Sequence, residues 1–196
     1  MNVIIDDLSQ RQAEFKREFH FDAWSSVYRM TGYRLRWALK LLKRIRYTDR
    51  GVVGVDGYFI KDGDALTTKQ LLTSRACLRA YLDGVAEARQ NPALPLAAAG
   101  LSDYGQMINQ TVLPIFDQTV KVLQDLMAFL DRGVKVRYND NGNVNDVIEF
   151  PGATVSECVR LYTLVSWLVA QEDSAIDAYS HGSGTDSRGA AEPRRI

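Results

Sequence analysis

The chain has 196 residues, of which 46% are hydrophobic and 24% charged, and its 24 basic and 24 acidic side chains give a formal net charge of zero. This length suits one domain with its own hydrophobic core, and the composition excludes a chain that is disordered throughout. The zero net charge argues against a protein whose main task is to coat nucleic acid.

Targeting and membrane signals are absent from the sequence pattern. The N-terminus lacks a basic start followed by an apolar run, so we predict no secretory signal. The longest apolar stretches, 112–130 and 158–170, are short or interrupted by charges, and neither supplies the ~20 apolar residues that span a bilayer. We therefore predict no membrane partner. Cys77 and Cys158 sit among apolar residues, which favours two buried free thiols over one disulfide.

Two helices are predicted in the N-terminal quarter of the chain. A capping box of Ser9 and Gln12 predicts a polar helix that ends near residue 20. Apolar residues then recur at helical spacing, which predicts one long helix over about 22–47, or two helices joined near Gly32. Gly32 lies inside this pattern and indicates either a bend or a close contact.

The first β-hairpin is predicted at 51–61, where the helical period stops. Valines precede the dipeptide Asp56-Gly57, and Tyr58 begins a second run of β-forming residues. Asp-Gly between two such runs is typical of a type I′ turn. The sequence therefore predicts that the chain reverses at Asp56-Gly57.

Helices are predicted again between residues 67 and 133. A capping box that starts at Thr67 begins the first, which ends near Pro92 because the residue before a proline is disfavoured in the α region. Pro114 must either kink the next helical region or start a new segment. Gly133 is predicted as the C′ glycine that ends this region.

The clearest hairpin covers 134–150, where alternating residues flank the turn dipeptide Asn141-Gly142. A capping box at Thr154 begins the last helix, which is apolar on nearly every side and is therefore predicted to lie at the centre of its bundle. Residues 180–196 are rich in Gly, Ser and Ala without periodicity, which predicts a tail.

These elements predict a mainly α protein, a helical bundle of about five helices with two short β-hairpin insertions and a flexible C-terminal tail. The predicted organisation is one helical domain over 1–179, with hairpins near 51–61 and 134–150, followed by the tail over 180–196.

A basic segment lies between Arg29 and Arg50, with eight basic residues and Asp49 as its one acid. Spacings of seven, four and three place several of these cations on one helical face. Such a face can bind phosphate backbones, or it can pair with acids elsewhere in the molecule or in a neighbouring subunit. The residues predicted to contact a partner or nucleic acid are Arg29, Arg36, Lys40, Lys43 and Arg44.

The second hairpin and the tail are the other predicted contact elements. Hairpin edges and tips can be extended by a neighbour's strand, and tails can become ordered on a partner. The predicted hairpin contacts are Tyr138, Asn141 and Gly142. The predicted docking residues of the tail are Arg188, Arg194, Arg195 and Ile196.

Catalytic signatures are missing from the sequence. It contains no phosphate-binding loop, dinucleotide-binding turn or zinc-binding HExxH pair. His20 and His181 have no Cys or Ser partner at a spacing that suggests a triad. We predict no enzymatic activity, no cofactor and no metal.

The layout resembles that of small virion assembly proteins of tailed phages, of the head–tail connector or adaptor type. The elements that carry the resemblance are the helices of 67–131 and 154–179, the hairpin 134–150 and the tail 180–196. The resemblance implies a non-enzymatic, ring-forming protein that contacts its own copies and other structural proteins, in a virion or the host cytoplasm. The alternative, from the basic segment, is a regulatory protein that binds nucleic acid through the helix of 29–50.

Overall fold

The computed structural model describes residues 2–48, 51–54, 68–94, 113–140 and 143–182. In chain order the elements are α1 (Asn2–Glu18), α2 (Trp24–Leu42), β1 (Ile45–Thr48), β2 (Gly51–Gly54), α3 (Thr68–Gln90), α4 (Leu113–Asp131), β3 (Val134–Asp140), β4 (Asn143–Glu149) and α5 (Val155–Gly182). The predicted class, a mainly helical bundle with two short hairpins, is confirmed.

The first two helices differ from prediction at their ends. Helix α1 begins at Asn2, so the prediction that Ser9 begins it was wrong; a capping-box pattern is a short local signal that also fits inside a helix. Helix α2 is continuous through Gly32, as one of the two alternatives predicted. It ends at Leu42 rather than near residue 47, because the β-favouring residues that start at Ile45 form a strand.

Prolines set the next two helix ends as predicted. Helix α3 ends at Gln90, and the side chain of Asn91 accepts a hydrogen bond from the Ala93 N–H at 3.0 Å. Helix α4 begins at Leu113 with Pro114 in its second position, which agrees with the predicted alternative that the proline starts a segment. Its missing N–H is harmless there, because the first turn of a helix has no intrahelical acceptors for its donors.

Gly133 follows α4 for a different reason from the one predicted. Among the described residues, the glycine with positive φ is Gly152, at 72° in the Pro151-Gly152 turn. A Cβ built on Gly133 would lie 2.8 Å from Cδ2 of Leu71 and 3.0 Å from Cε1 of Phe150. Gly133 thus lies just past the helix end, as predicted, but its lack of a side chain serves close packing rather than a left-handed turn.

The two hairpins join in one antiparallel sheet with the order β1-β2-β4-β3. Strand β2 pairs with β4 through Val53↔Glu149 and Gly54↔Ile148. The first hairpin spans 45–54, so the predicted position of 51–61 was wrong; Asp56 and Gly57 lie outside the described residues. The second hairpin is confirmed, since β3 and β4 pair from Val134↔Glu149 to Asp140↔Asn143; Asn141 and Gly142 lie outside the described residues.

The core lies where α2 packs against α3, α4 and α5, while α1 lies along α3 and α4 contacts α3 and α5. The sheet joins this core through Ile148 and Phe150, and the Phe150 ring stacks on Phe129 with centroids 4.5 Å apart. The fully buried Tyr81 bonds its hydroxyl to Thr31 between α3 and α2.

Helix α5 begins as predicted and is placed differently. The Glu157 N–H donates to the Thr154 hydroxyl at 3.1 Å, which confirms the cap. The helix buries one side, including Cys158, Leu161 and Leu168, and exposes the opposite side, so the prediction of a central helix was wrong. It extends to Gly182, which makes the first residues of the predicted tail helical; 183–196 lie outside the described residues.

Candidate interaction surfaces

Helix α5 exposes apolar side chains along one face for about four turns. Val155, Val159, Tyr162 and Trp167 are 52%, 49%, 40% and 44% exposed. Spacings of four, three and five residues place them within an arc of about 140° around the helix, together with smaller exposed residues. We call this surface the apolar stripe, and its members are Val155, Val159, Tyr162, Thr163, Trp167 and Ala170.

The apolar stripe contains no charged residue. Arg160, which lies beside it in sequence, turns toward α4, where its Nη2 lies 3.7 Å from Oδ2 of Asp125. Glu157 likewise bonds away from the stripe, to Arg132 at 2.5 Å. A neighbour could therefore cover the stripe without burying an unpaired charge, which would cost several kcal/mol.

Arg36 links α2 to α5 within the molecule. Its guanidinium contacts Glu172 at 2.7 Å and Asp173 at 2.5 Å. The Glu172 side chain is almost fully buried, and burial raises the pKa of Glu172 although the adjacent Arg36 lowers it. Arg36 was predicted to contact a partner; in this structure it takes the other alternative, pairing with acids of its own chain.

The other four cations predicted to contact a partner divide into two groups. Arg29 is exposed on α2, and Lys43 is exposed just after its C-terminus. Lys40 and Arg44 instead lie in a groove between α2 and α3, where Lys69 joins them from the first turn of α3. The prediction of a single basic face therefore holds only in part.

This groove, which we call the basic groove, has a volume of about 360 Å³. Its lining residues are Trp37, Lys40, Leu41, Arg44, Lys69, Gln70, Thr73 and Ser74. Among the described residues no acid lines it, and Lys40, Arg44 and Lys69 form no ion pair within that part of the chain. It is the clearest concentration of uncompensated charge among the described residues.

Other arginines on the same molecule contact carboxylates. Arg75 and Arg79 contact the two carboxylate oxygens of Asp131 at 3.1 and 2.8 Å. Arg89 contacts Asp117 at 2.6 Å. The lack of acids in the basic groove is therefore a local property and does not reflect the surface as a whole.

The predicted hairpin and tail contacts are placed only in part. Tyr138 lies on β3, an edge strand of the described sheet, and pairs with Asn145 of β4. The remaining predicted contacts lie outside the described residues; these are Asn141, Gly142, Arg188, Arg194, Arg195 and Ile196.

Both cysteines are free and buried, as predicted. Arg34 donates to the Cys77 sulfur at 2.9 Å, but burial raises the pKa of Cys77 more than the guanidinium lowers it. Burial raises the pKa of Cys158 to about 11. A nucleophilic cysteine needs a stabilised thiolate, so neither thiol is activated.

The described residues form neither a metal-binding cluster nor a membrane-spanning helix. Across 2–48, 51–54, 68–94, 113–140 and 143–182, no group of three His, Cys, Asp or Glu side chains is arranged to hold a metal ion. No helix among these residues combines the length and apolar character needed to cross a bilayer.

Two residues of these surfaces were missed in the sequence. Lys69 belongs to the groove because α3 packs beside α2, a pairing that the spacing of residues along one helix does not reveal. Glu172 carried a signal, because it is an acid two residues after the apolar run 158–170, and Gly32 marked the close contact that receives it.

No protein-family model matches this chain, and comparison with curated proteins and with solved structures finds no match either. What the protein does is therefore inferred from its own surfaces.

Proposed function

We propose that this chain is a non-enzymatic structural protein whose copies associate through the apolar stripe of α5. The observation that carries the proposal is the row of four half-exposed large apolar side chains on one helix, whose flanking charges Glu157 and Arg160 pair with Arg132 and Asp125. Removing such a surface from water is the main favourable term in most protein associations.

A second copy of the chain fits this surface better than a strongly charged partner. The stripe offers no charge that would select a charged surface, and the formal net charge of zero means that like copies do not repel each other at long range. Two uncharged apolar faces also meet without stranding an ion in the interface.

The size of the stripe sets a further condition. Its four large side chains expose on the order of 300–400 Å², whereas a standard interface buries about 800 Å² on each partner. The stripe is therefore the apolar centre of a larger contact. We assign the remainder to the second hairpin and the C-terminal residues, the other elements with contact roles predicted from sequence.

The head–tail connector role implied by the layout resemblance is one form of this proposal. In a ring, the stripe of one copy contacts a different surface of the next copy, because head-to-tail contacts close into rings. Contact of one stripe with another instead gives a two-fold dimer. The number of subunits therefore separates a connector ring from a simple dimer.

The test is the mass of the particle in solution, measured by size exclusion with light scattering over a concentration series. The stripe variant is Val159→Glu with Trp167→Glu. The matched control, Tyr33→Glu with Leu113→Glu, places the same charge at exposed apolar residues of α2 and α4. Thermal melting followed by circular dichroism establishes that both variants are folded.

We expect an oligomer for the wild type and the control, and a folded monomer for the stripe variant. A wild type that is monomeric at high concentration would contradict the proposal. So would a stripe variant that keeps the wild-type mass.

A further inference from the structure

We infer that the basic groove between α2 and α3 binds a single strand of nucleic acid, with phosphates held by Lys40, Arg44 and Lys69 and a base stacked on Trp37. This function goes beyond self-association and uses a different surface.

The charge of the groove is the first support. Three cations, from α2, the turn after it and α3, converge on one concave surface that no described acid lines, while several arginines elsewhere contact carboxylates. Holding like charges together without a counter-ion is unfavourable, and an anionic ligand removes that cost. Phosphate groups of a nucleic-acid backbone suit such a cluster, since each neutralised phosphate releases condensed counterions.

The remaining lining points to a nucleotide rather than to a simple anion. Trp37 is partly buried beside Lys40 and Arg44, so an aromatic surface borders the cations. Thr73 supplies a hydroxyl, which also contacts Arg11 at 3.4 Å and brings a further cation to the margin of the groove. Aromatic side chains beside a cationic track are the usual platform for unpaired bases.

The same chemistry favours a single strand over a duplex. A base can stack on an indole only after it has left its own stack, which bases of a single strand do readily. The groove, at about 360 Å³, falls within the size range of small-molecule sites and suits individual nucleotide units.

The experiment measures binding of a short fluorescein-labelled oligothymidylate to the full-length protein by fluorescence anisotropy, at several salt concentrations. The groove variant is Lys40→Ala with Arg44→Ala and Lys69→Ala. The control removes three exposed cations outside the groove, by Arg17→Ala, Arg29→Ala and Lys121→Ala. Both variants lose the same formal charge, so a difference between them reports position.

We expect the groove variant to bind at least about tenfold more weakly. The slope of log K against log salt should become less steep by about 2, because each of the three lost phosphate contacts contributes roughly 0.7. The control should change affinity by less than about twofold. Trp37→Leu should weaken binding by about 5- to 100-fold, the range for one stacked base, without changing the slope. Thermal melts establish that each variant is folded.

Three results would overturn the inference. The first is an equal loss of affinity in the groove and control variants. The second is binding of a matched duplex as tight as that of the single strand. The third concerns competition at equal concentrations of negative charge. If inorganic pyrophosphate or heparin displaces the labelled strand as effectively as unlabelled oligothymidylate does, the groove recognises charge alone.

Discussion

The carboxylate of Glu172 occupies the space that a side chain on Gly32 would fill, so α5 approaches α2 at a residue that has no Cβ. One turn further along α2, Arg36 donates to that same carboxylate at 2.7 Å. The contacts among Gly32, Glu172 and Arg36 therefore fix how α2 and α5 pack.

Gly32→Ala should destabilise the protein, although alanine favours a helix interior by about 1 kcal/mol over glycine. The new methyl group must displace a carboxylate that is buried and hydrogen-bonded, and we expect a net loss of about 1–3 kcal/mol in the free energy of unfolding. Urea titration measures this loss.

The control for this prediction is the same substitution in a Glu172→Ala background. There the obstructing carboxylate is gone, so Gly32→Ala should be neutral or should stabilise by up to about 1 kcal/mol. An equal loss in both backgrounds would show that crowding against Glu172 is not the cause.

Stability should depend on the ionisation of Glu172. Burial is the main reason that the pKa of this carboxyl lies above its ordinary value of 4.5, and Arg36 offsets only part of the shift. The folded state therefore binds the proton more tightly than the unfolded state, and this contribution is full at low pH. It is lost as the pH rises from about 4.5 through the raised pKa.

Glu172→Gln isolates this effect. The free energy of unfolding of the variant minus that of the wild type should increase as the pH rises through the same window, because only the wild type loses the contribution. Urea titrations at a series of pH values measure the difference. A difference that stays constant, or that decreases with pH, would refute the assignment.

The hydroxyls of Thr31 and Tyr81 should show unequal effects on stability. Thr31 donates its proton to the Val27 carbonyl at 2.7 Å, so Tyr81 must be the donor between the two hydroxyls. Thr31→Val strands that buried donor and should cost about 1–3 kcal/mol, whereas Tyr81→Phe should cost about 1 kcal/mol or less. Chemical denaturation of both single variants and the double variant checks the order; the double should be more stable than Thr31→Val alone.

Both cysteines should react slowly in the native protein. Cys77 and Cys158 are buried, and burial raises the pKa of each thiol. With Ellman's reagent at about pH 8, where an exposed thiol reacts readily, we expect colour to develop only on unfolding in guanidinium chloride. Rapid reaction of either thiol without denaturant would contradict this burial.

Local signals predicted much of the fold. The turn chemistry of Asn141-Gly142, the prolines at 92 and 114 and the cap at Thr154 depend on a few neighbouring residues, and the structure places each of them at or beside an element boundary. Such signals act through the backbone of a short segment and do not require knowledge of the tertiary fold.

The predictions that were wrong depend on contacts between elements that are distant in the sequence. The stretch around Ile45 fits the helical period of α2, but pairing with β2 holds it as a strand. The apolar composition of α5 predicted a central helix, whereas composition alone cannot tell a side covered by neighbours from a side left open. Likewise, the basic segment contained Lys40 and Arg44, yet Lys69 joins them only through the packing of α3 beside α2.

The pairing of β2 with β4 also sets an order of events during synthesis. Val53 leaves the ribosome long before its partner Glu149, and α3 and α4 are made between them. The first hairpin has strands of four residues, too short to be stable alone in water. Residues 51–54 therefore lack their β4 partner until residues 143–149 emerge, and closing the sheet is a late step of folding.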